Sequence, residues 1–108
     1  VFLFYPFPEA KYNVPITKSK LKHYGKSLRI GQTIDEYNKR NDLIIKNFDK
    51  INHQQLIRIY PNKIFCGTYQ KNYCVVEINN ISLFSDDNHF TVEGINILFS
   101  KIKYLFQL

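Results

Sequence analysis

The sequence predicts an α/β fold: three layers, with a mainly parallel sheet covered by helices on both faces. Two observations carry this expectation. The opening VFLFY is a run of consecutive apolar side chains, the signature of a strand whose two faces are both covered. A segment of helical period then precedes a short β-rich run, giving the strand, helix, strand order of a βαβ unit.

Taken in order, residues 1–5 form the first strand, ended by Pro6 and Pro8 in a stiffened loop. Residues 9–31 contain Pro15, Gly25 and Gly31 and little periodicity, so a long loop is expected, with at most a short helix near 18–28. Thr33 suits a helix N-cap, and Asp35 and Glu36 favour the positive end of the dipole in the first turn. Ile34, Tyr37, Ile44, Phe48 and Ile51 recur at helical spacing, predicting an amphipathic helix over 34–51. Residues 56–60 make a second strand, stopped by Pro61. Residues 74–78 and 81–84 flank Asn79 and Asn80, a pair that tolerates positive φ, and predict a small hairpin. Ile95, Leu98, Phe99, Ile102 and Leu105 then trace one face of a last helix over about 91–106.

The 108 residues suffice for one small domain or part of a larger one. The chain begins with Val1 rather than Met, as expected of a processed or excised piece. Phe, Ile, Lys, Asn and Tyr make up 54 of the residues, a bias that AT-rich codons produce whatever the function, so lysine content alone says little about partners. Position says more. Lys11, Lys18, Lys20, Lys22, Lys26 and Arg29 fall between residues 10 and 34 without one acidic residue, and the rest of the chain is balanced. Such a segment suits phosphates, acidic polysaccharide or an anionic membrane face, or is simply a solvated loop. Tyr12 and Tyr24 interleave with it, but no known nucleic-acid-binding motif accompanies the charge, and no nucleic-acid partner is expected. No stretch approaches the roughly 18 apolar residues of a membrane span, and VFLFYPF lacks the length and basic flank of a signal peptide. Cys66 and Cys74, close together among turn-formers, suit a disulfide in an oxidising compartment or two buried thiols in a reducing one. They make a poor zinc site, and neither metal nor cofactor is expected.

The chemistry concentrates in SDDNHFTVEG, residues 85–94. In a tight turn before a helix, the Asp86 carboxylate can fold back to the nearer ring nitrogen of His89. That would fix the tautomer, stabilise an imidazolium and leave Nε2 free to take a proton from a hydroxyl. Asp87 and Asn88 would point outward or cap the helix. Equally, Asp, Asn and Thr are what any helix start recruits, and His89 would then be a polar surface residue. His23 and His53 read as structural or surface groups.

The stretch LFSDDNHFTVEGINIL resembles the last block of SGNH hydrolases, in which an aspartate, two intervening residues and a histidine precede a small hydroxyl residue and a glycine opening the final helix. Asp86, His89, Thr91 and Gly94 occupy those places. More narrowly, the chain resembles the carboxy-terminal part of the SGNH domain fused to membrane acyltransferases that O-acetylate lipopolysaccharide and other surface glycans. The Pro6-Phe7-Pro8-Glu9 step, the paired cysteines and Phe84 agree; Phe90, Thr91 and Ile95 replace the usual leucine, serine and alanine. The resemblance implies a flavodoxin-like SGNH fold of which residues 1–108 are only the carboxy-terminal portion. It also implies Asp86 and His89 as two members of a Ser-His-Asp triad, and a nucleophilic serine and oxyanion hole in earlier blocks. Ser19, Ser27, Ser82, Ser85 and Ser100 lack the Gly-Asp-Ser context, so this piece alone is expected to be inactive. The implied partners are an acetyl donor, a glycan acceptor and an upstream membrane-embedded domain, on the periplasmic face of a bacterial membrane; no oligomeric state is assigned. A carbohydrate esterase of the same fold, or a non-catalytic module lacking the nucleophile, are the alternatives. A partial domain would leave a strand edge uncovered, so a partner segment, a dimer or marginal stability is expected.

Overall fold

Two strands lie side by side in parallel, β1 (Phe2–Phe4) and β2 (Ile57–Ile59), paired Phe2 with Ile57, Leu3 with Arg58 and Phe4 with Ile59. The computed structural model describes residues 1–26 and 28–106. Alternation gives the two faces of this ladder different neighbours. On one, Tyr5 and Arg58 meet α2 (Ile34–Asp49): Arg58 donates to the Tyr5 hydroxyl at 2.6 Å and to the Phe48 carbonyl at 2.8 Å, and the Tyr5 hydroxyl donates to Asp49 at 2.6 Å. Burial, helped by the bond to Asp49, pushes the Tyr5 phenol up to about 12, so it stays protonated. On the other face, Ile59 joins a core with Phe65, Leu83, Leu98 and Ile102, and the Phe2 ring lies 4.5 Å from that of Phe106.

The expectation that both faces of the first strand are buried is not met. Phe2 and Phe4 remain 39% and 38% exposed. Among the described residues β1 has no partner on its second edge, and Phe2 and Phe4, on one face of the strand, are only partly covered. The parallel sheet is thus two strands, and the second sheet is the antiparallel hairpin of β3 (Glu77–Ile78) and β4 (Ile81–Ser82). Asn79 and Asn80 supply its turn with φ of 52° and 64°, as their type predicts.

The segment expected to be mostly loop holds a full helix, α1 (Val14–His23), begun earlier than the short helix anticipated near 18–28. Asn13 accepts from the Ile16 N–H at 3.0 Å and Pro15 occupies the first turn, a start that needs no apolar period. Gly25, at φ 63°, ends it: the Lys26 and Gly25 N–H groups bond back to the carbonyls of Leu21 and Lys22. Ser27 lies outside the described residues. The α2 helix starts as expected, with Thr33 and Glu36 in a reciprocal capping box. Pro61 stops β2 and also opens a short helix, α3 (Pro61–Phe65). The last helix is α4 (Val92–Ile102), continued by a 3-10 turn at Lys103–Phe106. Cys66 and Cys74 face each other across an isolated bridge and form a disulfide.

Candidate active site

Between β4 and α4 the chain makes a closed turn whose ends are fastened by a bridge between Phe84 and Phe90, with their rings stacked 5.0 Å apart. The Ser85 N–H and hydroxyl both donate to the His89 carbonyl, at 2.8 and 3.2 Å. Inside the turn, Asp86 Oδ1 accepts the N–H of Asn88 at 2.8 Å and of His89 at 2.7 Å, while Oδ2 meets His89 Nδ1 at 2.7 Å. These bonds to the anion, led by the Asn88 and then the His89 N–H and followed by the imidazole, hold the carboxyl down at about 2. One oxygen shapes the turn and the other orients the ring. His89 therefore keeps Nε2 free on a side chain that is 75% exposed.

The turn is fixed from outside as well. The N–H groups of Ala10 and Val14 donate to the carbonyls of Asp87 and Asp86, at 2.8 and 3.2 Å, so the Pro-x-Pro-Glu loop and the start of α1 are stitched to the dyad. Thr91 caps α4 by accepting from the Gly94 N–H at 3.0 Å, and its hydroxyl donates to the Ser82 carbonyl at 2.8 Å. Of the polar residues before the helix, it is Thr91 that caps, whereas Asn88 lines the cleft beside His89.

That cleft has a volume of about 680 Å³. Pro6, Phe7 and Glu9 form one wall, Arg40, Asn41 and Ile44 of α2 another, and Asn88, His89, Phe90 and Ile95 a third. Glu9 meets Arg40 at 2.9 Å, and the Glu9 N–H donates to Gln32 Oε1 at 3.1 Å. Sequence reasoning singled out Glu9 but missed Arg40 and Asn41, which lie some thirty positions further on and carry no local motif. No serine lines this cleft among the described residues. The hydroxyls of Ser82 and Ser100 donate to the carbonyls of Phe84 and Ile97, and Ser19 lies exposed on α1.

None of the basic residues of the 10–34 segment lines the cleft. Lys11 pairs with Glu36 at 3.0 Å and Lys18 with Glu77, while Arg29 lies over the Tyr73 ring, 5.0 Å from its centre. Lys20, Lys22 and Lys26 are exposed, as are His23 and His53. Among the described residues there is no cluster of metal-ligating side chains and no helix long and apolar enough to cross a membrane.

The model of a family described as SGNH domain (fused to AT3 domains) matches residues 1–103. Among solved structures, the chain is similar to the periplasmic domain of a lipopolysaccharide acetyltransferase from Salmonella ser. Paratyphi A, with 20% identity and a TM-score of 0.62 over 97% of this chain and 41% of that one. The chain thus spans less than half the length of that solved domain, and the likeness is one of fold. No curated protein sequence matches.

Proposed function

Since this chain belongs to the family of SGNH domains fused to AT3 domains, we propose that it carries the acid and base of a Ser-His-Asp triad in an O-acetyltransferase acting on a cell-surface glycan. The supporting observation is the 2.7 Å contact from Asp86 Oδ2 to His89 Nδ1, with the free side of the ring on an open cleft. The proposal extends to the finer architecture, a three-layer domain whose remaining strands cover the free edge of β1 and whose serine comes from residues outside this chain. It includes location on the periplasmic side, next to a membrane-embedded acyltransferase domain.

The chemistry runs in two steps. His89 Nε2 takes the proton of the serine hydroxyl as its oxygen attacks the acetyl carbonyl. The donor's leaving group departs with that proton, and the acetyl remains as a serine ester. A sugar hydroxyl then gives its proton to His89 Nε2 and attacks the ester, and the serine oxygen leaves and recovers the proton. Asp86 stays ionised throughout and stabilises the imidazolium. Water in place of the sugar turns the same cycle into an esterase, the second reading, favoured by the open cleft and the exposure of His89.

The test is acetyl transfer by the intact protein and its His89→Ala and Asp86→Asn variants. His89→Ala is expected to remove all but background turnover, and Asp86→Asn to lower kcat by about 10³- to 10⁴-fold through the wrong imidazole tautomer. Turnover that survives His89→Ala would remove the dyad from the mechanism. Residues 1–108 alone are expected to show no turnover of a small acetyl ester.

A further inference from the structure

Asn41 is the buried polar side chain of the cleft: it is 7% exposed, and its amide nitrogen donates back to the Tyr37 carbonyl at 2.9 Å. Its Oδ1 has no partner among the described residues, and no occluded side-chain polar atom lacks one, so this oxygen opens into the cleft. A side-chain carbonyl oxygen that keeps no protein donor is available to a ligand hydroxyl entering the cleft. The wall around it is polar without carrying net charge, because Glu9 and Arg40 neutralise each other. Phe7 and Phe90, edge to face with ring centres 5.4 Å apart, supply an apolar surface. His89 lines the same space. An apolar plate, an unpartnered acceptor and a nearby base suit a ligand with a C–H face and several hydroxyls, and the volume falls in the range of roughly 300–1,000 Å³ usual for small-molecule sites.

We propose that this cleft is the acceptor subsite of the transfer reaction, that it takes an uncharged sugar ring, and that Asn41 is a specificity-determining residue for it. Asn41 Oδ1 accepts one sugar hydroxyl, the Phe7 and Phe90 rings carry the C–H face, and a second hydroxyl lies against His89 Nε2. An acidic sugar is disfavoured, since its carboxylate or phosphate would meet Asn41 Oδ1 and the Glu9 carboxylate, while the Arg40 guanidinium of the wall is already paired with Glu9. This rests on the acyl-transfer reading and adds the class of acceptor.

The experiment uses the intact protein, p-nitrophenyl acetate as acetyl donor, and methyl hexopyranosides or the carboxylate-bearing methyl hexopyranosiduronates as acceptors. The readout is the ratio of acetyl transferred to sugar over acetyl lost to water. The neutral glycosides are expected to give a ratio at least tenfold above the uronates. Asn41→Leu should lower the neutral ratio about tenfold and raise acceptor KM, and Asn41→Asp, which keeps an acceptor oxygen, should recover part of it. Uronates acetylated as well as neutral sugars, or an unchanged ratio in Asn41→Leu, would overturn the assignment while leaving His89-dependent ester cleavage intact. Ester cleavage that ignores His89→Ala would overturn the acyl-transfer reading and this inference together.

Discussion

Replacing Gly94 by alanine tests how the dyad turn is held against α4. A Cβ at this position would lie 2.5 Å from the Leu83 carbonyl oxygen and 2.9 Å from Phe90 Cδ1, closer than side-chain carbons approach. The carbonyl cannot swing aside freely: it accepts the Thr91 N–H at 2.9 Å, and Leu83 is fully buried. Forcing one extra carbon into such packing costs about 1–3 kcal/mol. Alanine returns up to about 1 kcal/mol of helix propensity over glycine, less at this first-turn position. The net expectation is a loss of about 1–2 kcal/mol, or a Tm lowered by about 4–9 °C for a chain of this size. Thermal denaturation followed by circular dichroism measures it, with the His89 imidazole resonances recorded in parallel, because Phe90 must shift with its neighbour. A Tm equal to or above the parent's would refute the claim that Gly94 is required by this close approach.

Removing the disulfide by Cys66→Ser with Cys74→Ser should destabilise the protein by about 2–3 kcal/mol, from the entropy released by opening its short loop; denaturant titration would show it, and no change in midpoint would mean the bridge merely accompanies the backbone pairing around it. The Asp86 carboxyl, held at about 2 against an ordinary 3.8, should titrate late in a carbon-13 NMR pH series. Because its folded value lies below its unfolded one, its contribution to stability is complete above about 3.8 and drains away as pH falls toward 2. A midpoint near 3.8 in the folded protein would contradict the turn geometry.

What the sequence made legible depended on how local the cause was. The α2 and α4 helices announce themselves because their apolar residues repeat at helical period and Thr33 and Thr91 stand where caps belong. The α1 helix does not, because Val14 is its one buried residue and the others are largely basic or polar; its start was written only in Asn13 and Pro15. Pro61 looked like a terminator and is also an initiator, since proline is at home in a first helical turn. Asp86 and His89 were readable as a candidate pair because a three-residue spacing in a turn lets the carboxylate reach the ring, and the resemblance of the surrounding block singled them out. The rest of the cleft was not, since Glu9, Arg40 and Asn41 meet only through tertiary packing. The partly covered aromatics of β1 escaped for a related reason: an apolar run shows that a strand wants cover, not which residues provide it.

The division of labour within one carboxylate has a consequence for how this protein fails. Asp86 fastens its own turn with one oxygen and aims the imidazole with the other. A lengthened side chain such as glutamate would have to serve both from a displaced position, and a melted turn would release the ring at the same instant. Local order and ring orientation therefore share a single fuse: heat, acid or mutation that opens the turn at residues 85–89 also releases the imidazole from its carboxylate.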